Sequence, residues 1–359
     1  MYCDTNNSEN ANIKKGGVVR VKFAVGMGRN EKIYEIADHS RVAEESGFSH
    51  ITFGDVQNCT RDLYVKMAMA ATSTRRISIG SGVVAPYTRH AVVTATAHAT
   101  IHELSGGRAF LGLGSCGTSH GFLNMKAAKL NELENLVSFY RVFWRGEKAR
   151  LGDLVTQSEW VSNPMPIYLA VERPKALQVA GAIADGVYIM GGPPPLVRWK
   201  VDQVHRGAEA AGRDPKDIDI CVRSMIYVTN QKEKALREVG GMYQLDFKLL
   251  EKQKDDPAIA DLRQRMEEEY PGILEEFGRH RDVWDLKQHE KIETPSAKMV
   301  TTRMLDNMHL VGTVDEICSG ITKLIQAGAT TIATATYTII DKRTMMRRIG
   351  EEIMPHFRN

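Results

Sequence analysis

The sequence predicts a TIM (β/α)8 barrel with a helical insertion after strand seven. Three observations predict it. Short apolar, β-branched segments alternate with amphipathic helical ones from Val18 onward, and such alternation builds parallel strands joined by right-handed crossovers. Eight strand–helix units in roughly 340 residues fall within the barrel's usual size range. An open doubly wound sheet would carry a dinucleotide fingerprint after its first strand, and strand one exits here as VGMGRN, without the third glycine.

The elements follow in order. VVRVKFAVG alternates apolar and basic residues and stops at glycine, which reads as strand one. EKIYEIADHSRVAEESG is an amphipathic helix with Gly47 at its expected C-cap. FSHITFGD is strand two, followed by the helix RDLYVKMAMAAT. Strand three opens at Ile77 and runs into SIGSGVVAPYTRH, where glycines and Pro86 break it. Glycine in a strand marks a bend or a close approach. A helix from about Val92 to Leu104 leads to strand four, RAFLGLGS, and another helix spans about Asn131 to Gly146. PIYLAV and VYIMGG are strands five and six, and DIDICVRSMIYVT is strand seven. The helix TVDEICSGITKLIQAGA precedes the last strand, TTIATAT. Residues of about 232–310 are long, charged and helical in pattern, with no strand signal. They read as an insertion packed over the barrel mouth. Residues 18–359 therefore form a single domain, and the polar, Asn-rich residues 1–17 a flexible leader.

Bulk composition excludes several classes. A formal net charge of +3, spread along the chain, gives no reason to expect nucleic acid or a membrane surface. No apolar run approaches the roughly 20 residues that span a bilayer. The five cysteines are scattered and form no CxxC pair, which fits reduced thiols in a cytoplasmic protein. There is no HExxH or other metal-ligand spacing and no GxSxG elbow.

In a barrel, function gathers at the C-terminal strand ends. Those ends are rich in glycine and backbone: Gly82, Val83, Val84 and Ala85 on strand three, Gly114 and Ser115 on strand four, Gly191 and Gly192 on strand six. Arg173, Lys175 and Ala176 begin the helix after strand five, where backbone N–H groups and positive charge suit a phosphate. The set predicts a planar cofactor with a phosphate tail. His90, His120 and Gln57 are the candidates for catalysis, with Arg89 beside them; Met27, Arg61, Arg223 and Tyr227 are the candidates for substrate contact. Cys116, in the cofactor loop, reads as a small buried thiol.

The segment ISIGSGVVAPYTRHAVVTATAHATIHELSGGRAFLGLGSCGTS resembles the bacterial-luciferase-like superfamily of flavin- and deazaflavin-dependent oxidoreductases, closest to the branch containing methylenetetrahydromethanopterin reductase. GFSHITFGD and PIYLAVERPKALQVAGAIADG fit the family as well. The resemblance implies FMN or coenzyme F-420 as cofactor and a homodimer or homotetramer. It also implies a cis peptide at Gly82-Val83 behind the ring and cofactor contacts from Asp55, Ala85, Ser115, Arg173 and Ala176. The chain departs from the family in carrying Val56, Gly117 and Gly26 where known deazaflavin enzymes have acid/base groups, and Glu172-Arg173 where a small residue and glycine are usual. A site with few acids suits an FMNH2-dependent monooxygenase that oxidises a small organic substrate with O2 and is supplied by a separate flavin reductase. The alternative is an F-420-dependent hydride-transfer enzyme, and a third reading is a non-catalytic flavin-binding protein.

Overall fold

The computed structural model of the protein describes residues 21–29, 31–240, 250, 254–283, 285 and 291–357. The leader expected over residues 1–17 lies outside the described residues, as does the start of strand one at 18–20.

The eight expected strands close into one parallel barrel. They are β1 (Lys22–Met27), β2 (His50–Phe53), β3 (Ser78–Ser81), β4 (Ala109–Gly114), β7 (Ile167–Ala170), β8 (Gly186–Met190), β9 (Asp219–Arg223) and β12 (Thr331–Ala335), each hydrogen-bonded to the next, with β12 returning to β1. A short antiparallel hairpin, β5 (Ala149–Leu151) with β6 (Leu154–Thr156), precedes the fifth barrel strand.

Helices α1 (Ile36–Ser46), α2 (Leu63–Ser73), α3 (Ala91–Leu104), α4 (Gly117–Phe122), α5 (Leu130–Trp144), α6 (Pro174–Ile183) and α7 (Pro194–Ala210) fill the connections. Local chemistry sets their starts. Asp62 accepts from the Tyr64 and Val65 N–H groups and caps α2. Prolines occupy the first turn of α6 and α7, where no N–H is needed.

The seventh strand differs from the sequence expectation. It divides after Arg223: Ser224 N–H still reaches the Ala333 carbonyl of β12, but Ile226 N–H turns to the Thr334 hydroxyl. The chain leaves the barrel there as β10 (Ile226–Val228), which pairs in parallel with β11 (Leu310–Gly312). Between them lies the insertion, with α8 (Lys232–Val239), α9 (Pro257–Glu269), α10 (Ile273–Val283), α11 (Pro295–Lys298) and α12 (Thr302–Met308). The barrel resumes with α13 (Val314–Gln326), begun by a Thr313/Glu316 capping box, and α14 (Lys342–Arg348) follows β12. No described helix is long and apolar enough to cross a membrane.

Alternate residues of each strand face the bore. At its N-terminal end, Phe110, Tyr168 and Tyr188 pack in sequence as tilted rings, with centroids 5.1 and 5.3 Å apart. Gly80 makes the first of these possible, because a Cβ there would stand 2.2 Å from the Phe110 ring. Tyr168 donates its hydroxyl to Asp219 at 2.8 Å, and Asp219 pairs with Lys22 at 2.6 Å. The bore is therefore stoppered at this end and shallow at the other.

Candidate functional site

The mouth is built around the exit of β3. Gly82 and Val83 are joined by a cis peptide, as the family resemblance implied. Both are half-buried, whereas Ser81, Val84 and Ala85 around them are fully buried. Val84 N–H returns to the Gly112 carbonyl at 2.8 Å, so the bulge is pinned on both sides. The Val83 methyls lie against β4, where a Cβ on Gly114 would come within 3.0 Å of them. The outcome is a small apolar shelf with one face open to the mouth.

Behind the shelf, several sequence-predicted residues meet on one carboxylate. Asp55 is buried and accepts from Arg89 at 2.7 Å, from Gln57 at 2.9 Å and from Ala85 N–H at 3.3 Å. Its backbone carbonyl accepts from Ser119 at 2.7 Å. Arg89 also reaches Asp62, at 3.0 Å. Asp55 thus anchors the shelf to β2, and its charge is balanced by Arg89.

The β4 loop holds two further candidates. Ser115 is exposed beside the shelf. Cys116 adopts a left-handed backbone (φ 52°) and donates its thiol to the Val84 carbonyl; burial raises its pKa and keeps it protonated. His120, on α4, is wholly buried and stacked on Tyr87 at 5.1 Å. Burial lowers its pKa, the Ser115 backbone opposes that shift, and neither ring nitrogen makes a well-formed hydrogen bond among the described residues. Tyr87 donates to Glu132, and burial and that contact push its pKa up to about 12.

Past β7, Arg173 is the N-cap residue of α6, and it and Lys175 are exposed. Neither makes an ion pair among the described residues. Ala176 is half-buried at the same turn. Glu172 instead turns inward, accepting from Met190 N–H at 2.6 Å and pairing with buried Lys200, which also donates to the Met190 carbonyl at 3.0 Å. At β8, Gly191 N–H donates to the Arg223 carbonyl at 2.8 Å, and Gly192 takes a φ of 145°. Gly192 and Ser224 border a cavity of about 520 Å³ walled on its far side by Met308, Leu310 and α13.

Three expectations need correction. Met27 is fully buried in the outer core, since Ala24 faces the bore and the residue three on falls on the opposite side. His90 is exposed, and its Nδ1 accepts from Val92 N–H to cap α3. Tyr227 leaves the barrel on β10 and donates to Glu238 of α8. Arg61 lies exposed on the rim, its guanidinium 3.4 Å from the Arg29 carbonyl. Arg223 is at the mouth, its guanidinium 4.9 Å from the centroid of the Tyr337 ring. Tyr337, past the end of β12, is the residue sequence reasoning missed. A Cβ on Gly26 would stand 3.1 Å from its hydroxyl, and one on Gly28 only 2.4 Å from its ring. The strand-end rule, carried on to strand eight, reaches it.

The sequence profile of the luciferase-like monooxygenase family matches residues 14–331. The chain is 29% identical, over 349 residues, to 5,10-methylenetetrahydromethanopterin reductase of Methanolobus tindarius, covering 92% of this chain and 99% of that one. It is 28% identical, over 226 residues, to F-420-dependent glucose-6-phosphate dehydrogenase of Nakamurella multipartita, covering 57% of this chain and 66% of the relative. Among solved structures it superposes with a TM-score of 0.74 on the coenzyme F-420-dependent tetrahydromethanopterin reductase from Methanopyrus kandleri, at 22% identity, covering 95% of this chain and all (100%) of that one. That likeness is one of fold.

Proposed function

The chain belongs to the luciferase-like monooxygenase family, and from that premise we propose that it is an oxidoreductase that works with coenzyme F-420, transferring a hydride to or from a small organic substrate. The observation that carries this is the half-buried Val83 shelf at the mouth of a bore closed below, with a cationic helix start beside it. The names of the curated relatives, a reductase and an F-420-dependent dehydrogenase, support the deazaflavin over FMN.

The residues present fit such a group. Gly82 and Val83 offer a flat apolar support, held rigid by the Asp55–Arg89 pair behind Ala85. Ser115 and the half-buried Ala176 border it. Arg173, Lys175 and the free N–H groups of α6 provide the positive end for a phosphate. When bound, the deazaflavin supplies or takes the hydride. The chain's part is to hold and orient, and to keep water out through the stoppered bore. Gly191 lets the β8 exit lie close against β9, since a Cβ there would stand 2.8 Å from the Arg223 carbonyl.

The FMN monooxygenase keeps one specific support: the carboxylates at the shelf and the β7 exit, Asp55 and Glu172, are both ion-paired. Titration separates the two. We expect the purified chain, under anaerobic conditions, to quench coenzyme F-420 fluorescence with a Kd at least about tenfold below that for FMN, and to consume no oxygen when the reduced cofactor is supplied. Tighter FMN binding with oxygen uptake would overturn the proposal.

A further inference from the structure

Cations around the mouth come in two kinds. Arg89 is paired with Asp55 and Asp62, Lys200 with Glu172, and Lys342 with Glu31. Arg173 and Lys175 are exposed to water. Arg223 belongs to neither group. It is half-buried, its Nη2 is shut off from solvent with no hydrogen-bond partner, and it makes no ion pair among the described residues. Its guanidinium lies over the Tyr337 ring, 4.9 Å from the centroid. A guanidinium with one nitrogen shut off from water and no counter-charge beside it is unfavourable, and a ring face compensates only a fraction of what is lost.

Position narrows what is missing. Around the closed barrel, β9 lies four strands from β3, so Arg223 faces the Val83 shelf from the opposite wall. Tyr337, itself wedged against Gly28, fixes the direction of the guanidinium. A phosphate tail on the cofactor already has Arg173 and Lys175 on the β7 side. The group that reaches Arg223 is therefore carried by the second reactant. We infer that Arg223 binds a carboxylate of the substrate, so that the substrate is an organic acid held between shelf and guanidinium. A neutral carbonyl would offer a lone pair and leave the charge uncompensated, whereas a carboxylate supplies both and matches the planar fork of donors. This inference rests on the hydride-transfer reading for the identity of the second reactant, and not for the anion preference itself.

The test is calorimetric titration of the full chain with benzoate and with its neutral counterpart benzamide, without cofactor and then with coenzyme F-420. Wild type is expected to prefer benzoate by about tenfold or more. Arg223→Lys, which keeps the charge and loses the fork, should retain part of that preference, and Arg223→Met should abolish it. Arg223→Met should also unfold at the same temperature as wild type or higher, because it removes an unpaired cation. A preference that survives in Arg223→Met, or is missing in wild type, overturns the inference. So does a markedly lower unfolding temperature, which would make Arg223 structural. Weaker F-420 binding in Arg223→Met with unchanged benzoate binding also overturns it, assigning the anion to the cofactor. If F-420 does not bind and the benzoate preference still depends on Arg223, the cofactor reading fails and the carboxylate site stands.

Discussion

His98 shows how much a single buried ring can set. It is fully buried behind β3, 3.1 Å from the Tyr64 hydroxyl and 3.2 Å from the Thr94 carbonyl, with Trp144 on its far side. Burial lowers its pKa from the model-compound value of 6.5 to about 4. Between those values the unfolded chain binds the extra proton and the folded chain does not. His98 thus leaves stability intact above pH 6.5 and removes it as pH falls toward 4, by on the order of 3 kcal/mol at the limit. Thermal unfolding followed from pH 7 to 4 should show this decline in wild type and a shallower one in His98→Gln; parallel profiles would contradict it. The residues whose placement was legible in the sequence were those fixed by position along a strand, such as Gly82, Val83 and Arg223 at the strand ends. Those misread have roles that local context decides. His90 looks like mouth chemistry and caps a helix, and Met27 ends a strand at the mouth yet points outward.

At the scale of elements, the β7 and β8 exits are held together by one ion pair that grips both backbone groups of Met190. Glu172 accepts from its N–H and Lys200 donates to its carbonyl. The Glu172–Lys200 pair thus acts as a clamp between the two exits. Removing one partner leaves a buried charge alone, so Glu172→Gln should lower stability by about 3 kcal/mol. Glu172→Leu combined with Lys200→Met should recover most of that loss, and urea unfolding of the single and double variants measures the coupling. The eight barrel strands were legible because each is an apolar run closed by glycine or a polar turn. The three-residue strands β5, β6 and β11 were not, since so few residues carry no period. β10 was fused with β9 because no glycine or proline marks the step at Ser224-Met225, and a hydrogen-bond switch to Thr334 makes the break.

At the scale of the whole molecule, the insertion is part of the core. Ala235, Leu262, Met266, Phe277 and Leu305 are buried in the same apolar cluster as the barrel's outer residues. The parallel pairing of β10 with β11 ties its two ends to each other. A chain with residues 232–309 replaced by a short linker should bind a hydrophobic dye and lose cooperative unfolding, since the excision uncovers that surface. A cooperative, dye-free barrel would mean that the insertion is separable. Its place was legible from charge and length. Its share in the core was not, because apolar residues four or seven apart on a charged helix reveal a buried face without revealing what buries it.

The stoppered bore has a consequence for traffic. With Phe110, Tyr168 and Tyr188 packed across the lower end and Asp219 tied to Lys22, the barrel is a vessel with one door. Whatever settles deepest enters first and leaves last, and whatever rests above it must depart before it can be exchanged. Two reactants that meet on the Val83 shelf therefore queue, and the wall carrying Arg223 stands beside that queue.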